Sequence, residues 1–257
     1  MSALRALRSE WTKLRTLPST PWLLLGAVVG TVALGFAIVA TLDASHCDAP
    51  CVTDTGKLSL AGVRLGQVMV IILAVMAVTA EYATGTIRPT LAAVPRRISV
   101  VLAKLVAIVV LALLSGAVAA AGSLAAARAA LPHTGYPQMS LSDPLLQRAA
   151  LGTTIYLGLT AALAVGMGLL LRDTAGALTV VLALIYGAPV IATFVSDPRW
   201  QHRLHRFSPM DAGLTIQSTR NLTADHIGPW AGIGVLSAYA GVAVVAGLLL
   251  FSLRDAG

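Results

Sequence analysis

Charge is scarce in this chain of 257 residues: Asp, Glu, Lys and Arg together make up 11% of it, against roughly 25% in soluble domains. So few charges cannot cover a water-exposed surface, while 57% of the residues are hydrophobic. Lipid is therefore the expected solvent for nearly the whole length, and one membrane domain uses nearly the whole chain. Acidic groups are missing where an ion-coupled carrier needs them. None of the 11 Asp and Glu falls in the middle of an apolar run, so an ion-coupled carrier, which needs such a mid-span group to couple proton or sodium entry to movement, is not expected. No G-x-x-x-x-G-K-[ST] phosphate loop occurs, which excludes ATP binding by that route. No H-E-x-x-H occurs, and the five histidines all lie outside the apolar runs. Ser115 sits mid-run beside Gly116 but follows Leu113 and Leu114; without a nucleophile elbow or a histidine partner it reads as a packing serine and not a protease nucleophile. The net charge of +7 does not point to nucleic acid, because the basic residues are scattered at the ends of apolar runs, where they anchor helices to headgroups.

What is present is a series of apolar runs with basic flanks. Residues 1–18 place Leu4, Leu7, Trp11 and Leu14 on one helical stripe, with Arg5, Arg8, Lys13 and Arg15 mostly elsewhere. That pattern predicts an amphipathic helix lying in the membrane interface. Thr20 is the expected N-cap of the next helix, with Pro21 at its first position. Trp22 to Leu42 is an uncharged run of 21 residues, about 30 Å as a helix and long enough to span. Further spans are expected at about 60–80, 99–127, 148–171, 174–195 and 230–253, with Pro189 as a kink in the fifth. The fold class is thus an all-α membrane protein of six transmembrane helices with an N-terminal amphipathic helix. Four basic residues ahead of the first run place both termini in the cytosol, although the 18 Lys and Arg sort only slightly in favour of that side.

The first external loop carries the only cysteines, Cys47 and Cys51. A disulfide between them is the expectation; free thiols, or a metal site with His46, are the alternatives. Residues 196–229 form the longest external segment, where the pattern from Met210 to Ile216 suggests short interfacial helices. Gln67, Ser115 and Tyr156 are lone polar residues inside spans and are candidates to line a substrate route.

The stretch between the second and third spans organises the rest. From Glu81 to Arg97 it reads Glu-Tyr-Ala-Thr-Gly-Thr-Ile-Arg-Pro-Thr-Leu-Ala-Ala-Val-Pro-Arg-Arg, a short helix between turn residues. It resembles the loop of ABC-2-type transporter permeases, in which E-Y-x-x-G-T-[IL]-x-x-x-L-x-x-x-P-x-R precedes a lysine. Glu81, Tyr82, Gly85, Thr86, Ile87, Leu91, Pro95, Arg97 and Lys104 stand at the matching positions. Phe207 to Leu214 looks like that family's partly re-entrant external hairpin, and Glu10 to Thr16 looks like the lead-in of its actinobacterial branch.

The resemblance implies a bacterial plasma-membrane permease, working as a homodimer or as a heterodimer with a second permease and powered by a separate ABC ATPase subunit. ATP and Mg would be bound by that ATPase; this chain would hold no cofactor, no metal and no catalytic residue. Residues 81–98 would carry the coupling helix, with Glu81, Tyr82, Gly85, Thr86, Ile87, Arg88, Leu91, Pro95 and Arg97 contacting or positioning against the ATPase. Glu81 is expected to pair with a basic residue of the amphipathic helix or with Arg88. The exported substrate is expected to be amphipathic or hydrophobic: a drug, peptide or lipid. A non-transporting sensor or assembly scaffold in the same membrane is the alternative reading.

Overall fold

The computed structural model describes residues 3–42, 53–83, 97–136, 139–220 and 227–253, and their regular structure is helical throughout. In chain order the helices are α1 (Ala3–Thr16), α2 (Ser19–Ala40), α3 (Thr55–Leu60), α4 (Val63–Ala83), α5 (Arg97–Ala130), α6 (Pro144–Leu171), α7 (Thr174–Phe194), α8 (Pro198–Phe207), α9 (Pro209–Leu214) and α10 (Pro229–Leu253). Six helical stretches are long and apolar enough to cross a bilayer: Ser19–Ala40, Thr55–Tyr82, Ile98–Thr134, Pro144–Leu171, Thr174–Phe194 and Pro229–Leu253. α5 has 34 residues, about 51 Å at 1.5 Å per residue. That exceeds the roughly 30 Å hydrocarbon thickness, so α5 has length to spare for contacts beyond the apolar core.

The most enclosed span is α6, which packs against α4, α5 and α10 and has Tyr156, Leu157, Leu163 and Val165 in the core. α2 lies against α4 and α5. Small residues set the closest approaches, since lipid tails compete with any apolar contact and only tight backbone packing distinguishes a helix partner. Gly62 and Gly66 sit directly on Thr31 of α2, where a Cβ would collide with its carbonyl and hydroxyl oxygens. Exposed side chains form a stripe at every fourth residue along α5, from Ile98 and Leu102 to Leu114 and Val118. That is the lipid-facing side expected of a span.

Three local expectations change. Thr20 does not cap α2: the helix starts at Ser19, Pro18 occupies the cap position, and the buried Thr20 hydroxyl has no hydrogen-bond partner among the described residues. Pro21 still falls in the first turn, where its missing N–H removes no helical bond. α6 begins at Pro144, a turn before Arg148, because the Asp143 side chain accepts from Leu145 N at 2.9 Å and the proline serves as the first residue. Finally, the segment from Met210 to Ile216 forms the expected short helices, but they pack into the protein and leave no exposed face. α9 and the 3-10 turn after it (Thr215–Gln217) are buried within the bundle, because Gly232 of α10 leaves room for the Ala212 carbonyl where any side chain would clash.

Candidate functional site

α4 ends in Glu81-Tyr82-Ala83, and its last turn is tied to α1, α5 and the α6–α7 turn. The Glu81 carboxylate lies 2.7 Å from Lys104 Nζ on α5 and 3.0 Å from Lys13 Nζ on α1. Glu10, one turn before Lys13, completes a ring: it is 2.8 Å from Lys13 and 3.3 Å from Lys104. Each carboxylate therefore faces both ammonium groups, and the ring is neutral. It is also largely dry, with side-chain exposures of 3% at Glu10 and 9% at Lys104 against 43% at Lys13. Charges this enclosed are tolerable only when paired and hydrogen-bonded. Lys104 meets the second condition by donating to the Ala77 carbonyl at 2.9 Å.

At Lys13, burial pulls the pKa down, but hydrogen bonds to Glu10 and Glu81 outweigh it and hold the amine above its ordinary value. Tyr82 points the other way. Arg172, in the turn between α6 and α7, stacks on its ring at 5.2 Å, and Thr79 hydrogen-bonds Thr174 of α7 at 2.7 Å. Arg172 is the one described non-glycine residue with positive φ, at 56°. That left-handed residue stops α6 and lets Asp173 cap α7 immediately, accepting from Gly176 N at 2.6 Å. One helical turn of α4 thus fastens α1, α5 and the α6–α7 turn together. A cleft of about 400 Å³ opens beside it, lined by the ring and by Leu14, Leu17 and Met76.

The other signature positions, Gly85, Thr86, Ile87, Arg88, Leu91 and Pro95, lie outside the described residues, as do Cys47 and Cys51. Arg97 opens α5, but its side chain also lies outside them. Among the candidates for a substrate route, the structure joins two and separates the third. Gln67 and Tyr156 are fully buried, and the Tyr156 hydroxyl donates to the Gln67 side-chain oxygen. The Gln67 amide donates to the Tyr186 hydroxyl at 2.7 Å and meets Met210 Sδ at 3.3 Å. This network cross-links α4, α6, α7 and α9 inside the chain. Ser115 hydrogen-bonds back to Ala112 of its own helix at 3.1 Å.

A second polar cluster closes the opposite face. Asp54 caps α3, accepting from Lys57 N at 3.0 Å, and also accepts from Thr219 N at 2.6 Å, Thr219 Oγ1 at 2.5 Å and Arg220 N at 2.9 Å. Lys57 and Arg148 both donate to Ser218, and Gln217 donates to the Leu60 carbonyl and the Thr153 hydroxyl. Burial would raise the Asp54 pKa, but these hydrogen bonds outweigh it and hold it below its ordinary value.

The sequence places Lys104 in the loop motif and Glu10 and Lys13 in the lead-in helix, but it does not bring Glu10 and Lys104 together with Glu81 in one site. The signals were present: Glu10 falls on the same helical face as Leu7 and Leu14, and Lys104 is the only charge inside an otherwise apolar stretch. A charge on an apolar stripe calls for a buried counter-charge.

Six spans, a mostly lipid-facing surface and a charge ring under one end define a multi-pass helical membrane protein. A sequence profile for the ABC-2 family transporter proteins matches residues 6–190. No curated protein matches the chain. The chain belongs to the ABC-2 transporter family and is of the permease type, the membrane component of an ABC transporter, a class that in general pairs with an ABC ATPase and assembles as dimers.

Proposed function

We propose that this chain is the permease subunit of an ATP-driven exporter in a bacterial plasma membrane, with both termini and residues 84–96 in the cytosol. The loop after α4 seats in a groove of a separate ATPase that binds ATP and Mg. The single observation that supports this reading is the charge ring. Glu81 and Tyr82 lie in the last turn of α4, just before residues 84–96, and that turn is ion-paired to α1 and α5 and stacked on the α6–α7 turn. A displacement of the loop by closing ATPase subunits therefore acts on several helices at once and not on α4 alone. Two such bundles, identical or not, would rock against each other and release an amphipathic or hydrophobic drug, peptide or lipid along their shared interface. Gln67 and Tyr156 then act within one bundle by keeping α4 and α6 together while it moves.

The test is a pull-down of the tagged protein from its native membrane in mild detergent. A stoichiometric ATPase that is lost on Gly85→Pro or Arg97→Glu is the expected outcome. A well-folded chain with no ATPase would contradict the exporter reading and favour a sensor or scaffold.

A further inference from the structure

The face opposite α1 carries a groove that the transport reading does not use. It lies between α7, α8 and α10, has a volume of about 440 Å³, and is lined mainly by Leu184, Ile191, Trp200, Leu204, Phe207 and Tyr239. α8 forms one wall. On this ten-residue helix Arg199, Arg203 and Arg206 recur at the spacing of one helical face, and all three are exposed. Trp200, Leu204 and Phe207 repeat the same spacing one residue on, which turns them toward the groove. The helix contains no acidic residue. Among the described residues none of the three arginines forms an ion pair. Arg203 lies over the Trp200 ring at 5.4 Å, at the rim of the groove.

The wall is held in place from both ends. Gln201 Nε2 donates to the carbonyls of Val195 at 2.7 Å and Ala192 at 3.3 Å, fixing α8 to the end of α7. His205 contacts Asp211 at 2.9 Å, and the Tyr239 hydroxyl donates to the Phe207 carbonyl at 3.3 Å. Beside the groove, Val190, Ile191 and Phe194 of α7 remain exposed, so the apolar interior opens sideways onto lipid-facing surface. An apolar slot with Arg203 at its rim, and with Arg199 and Arg206 exposed on the same face of α8 and without an ion pair among the described residues, matches an amphiphile with a negative head and a long chain.

We propose that this groove binds an anionic phospholipid of the leaflet opposite α1, with one acyl chain against Leu184, Leu204 and Ile191 and the phosphate against Arg203 and Arg206. Lipid specificity here comes from the charge of the headgroup, because the slot itself offers the chain only dispersion contacts. The site stands apart from the charge ring, so it holds or fails independently of the exporter reading.

The test is native mass spectrometry of the full chain released from vesicles of equimolar phosphatidylglycerol and phosphatidylcholine with identical acyl chains. Phosphatidylglycerol is expected to be retained in preference, by about thirtyfold for two arginine contacts, and the preference should fall as salt rises. Arg203→Gln with Arg206→Gln should abolish the preference, and Leu184→Trp should fill the slot and reduce retention of both lipids. Equal retention of the two lipids by the unaltered protein would overturn the proposal. So would a preference insensitive to salt, which needs no variant and decides the matter if the substituted chains fail to fold. Loss of dimer with no loss of lipid on Arg203→Gln/Arg206→Gln would also overturn it, and would assign the face to a second copy of the chain.

Discussion

The two ends of this bundle are fastened by different physics. At the α1 face, four side chains on α1, α4 and α5 form a ring in which each carboxylate has two ammonium partners. At the opposite face, one carboxylate, Asp54, receives backbone N–H groups from Lys57, Thr219 and Arg220. A lysine or glutamate on a long flexible stem can trade one ring partner for the other with little backbone movement. A carboxylate gripped by backbone amides cannot shift unless the backbone itself comes apart. The ring therefore suits an end that must rearrange while staying neutral. The clamp suits an end that must hold the α3 turn against the segment after α9.

That contrast can be broken most sharply at Lys104. Lys104→Met leaves Glu10 and Glu81 facing each other with only the half-exposed Lys13 between them. It should destabilise the fold by about 3–5 kcal/mol, the usual cost of removing one partner from a buried pair. Adding Glu81→Gln should recover part of this, because one orphaned charge is then gone. Thermal unfolding in detergent reads both effects, and additive losses would show that the ring is not a unit.

Next in size is Asp54→Ala, which strips the cap of α3 and leaves three backbone donors without their partner. The expected loss is about 2–3 kcal/mol, with hydrogen exchange rising at Thr219 and Arg220 while the α1 face is unaffected. The same clamp has a pH signature. Asp54 titrates below its ordinary value of 3.8 in the fold, so its contribution is fully present above that value and is lost as the pH falls through the lower, folded one. Exchange at Thr219 and Arg220 should therefore rise only in strong acid, and Asp54→Asn should remove that dependence.

The smallest effect is expected at Lys13. It is the exposed member of the ring, and Lys13→Gln should cost only about 0–1 kcal/mol. Its amine is held above the ordinary value of 10.5, so its contribution is present below that value and lost as pH rises through the folded one. A loss comparable to that of Lys104→Met would mean that α1 is fixed chiefly by this lysine and that the ring is not graded by burial.

The sequence made the spans legible because uncharged runs of bilayer length have few alternatives, and the motif that starts at Glu81 begins in the last turn of α4, where the charge ring lies. A basic partner for Glu81 on the amphipathic helix was foreseeable from charge alone, and Lys13 occupies that position. The full ring was not legible, because a helical wheel shows which face Glu10 occupies but not that α5 brings Lys104 to meet it. The Asp54 clamp was further out of reach. It joins residues separated by most of the chain, and a lone aspartate before a short helix looks like an ordinary cap. The burial of α9 is not legible in its own mixed pattern; what decides it is the gap left at Gly232, a property of another helix. Gln67 and Tyr156 were visible as polar residues in spans, but only their mutual hydrogen bond distinguishes a cross-link from a lining.

The central claim is that the ring transmits the motion of the loop into the bundle. The most direct measurement is ATP-dependent export by the reconstituted permease–ATPase complex carrying Glu81→Gln, with complex assembly and ATP hydrolysis measured in parallel. The account predicts a complex that still assembles and hydrolyses ATP but exports poorly. Undiminished export coupled to hydrolysis would contradict it.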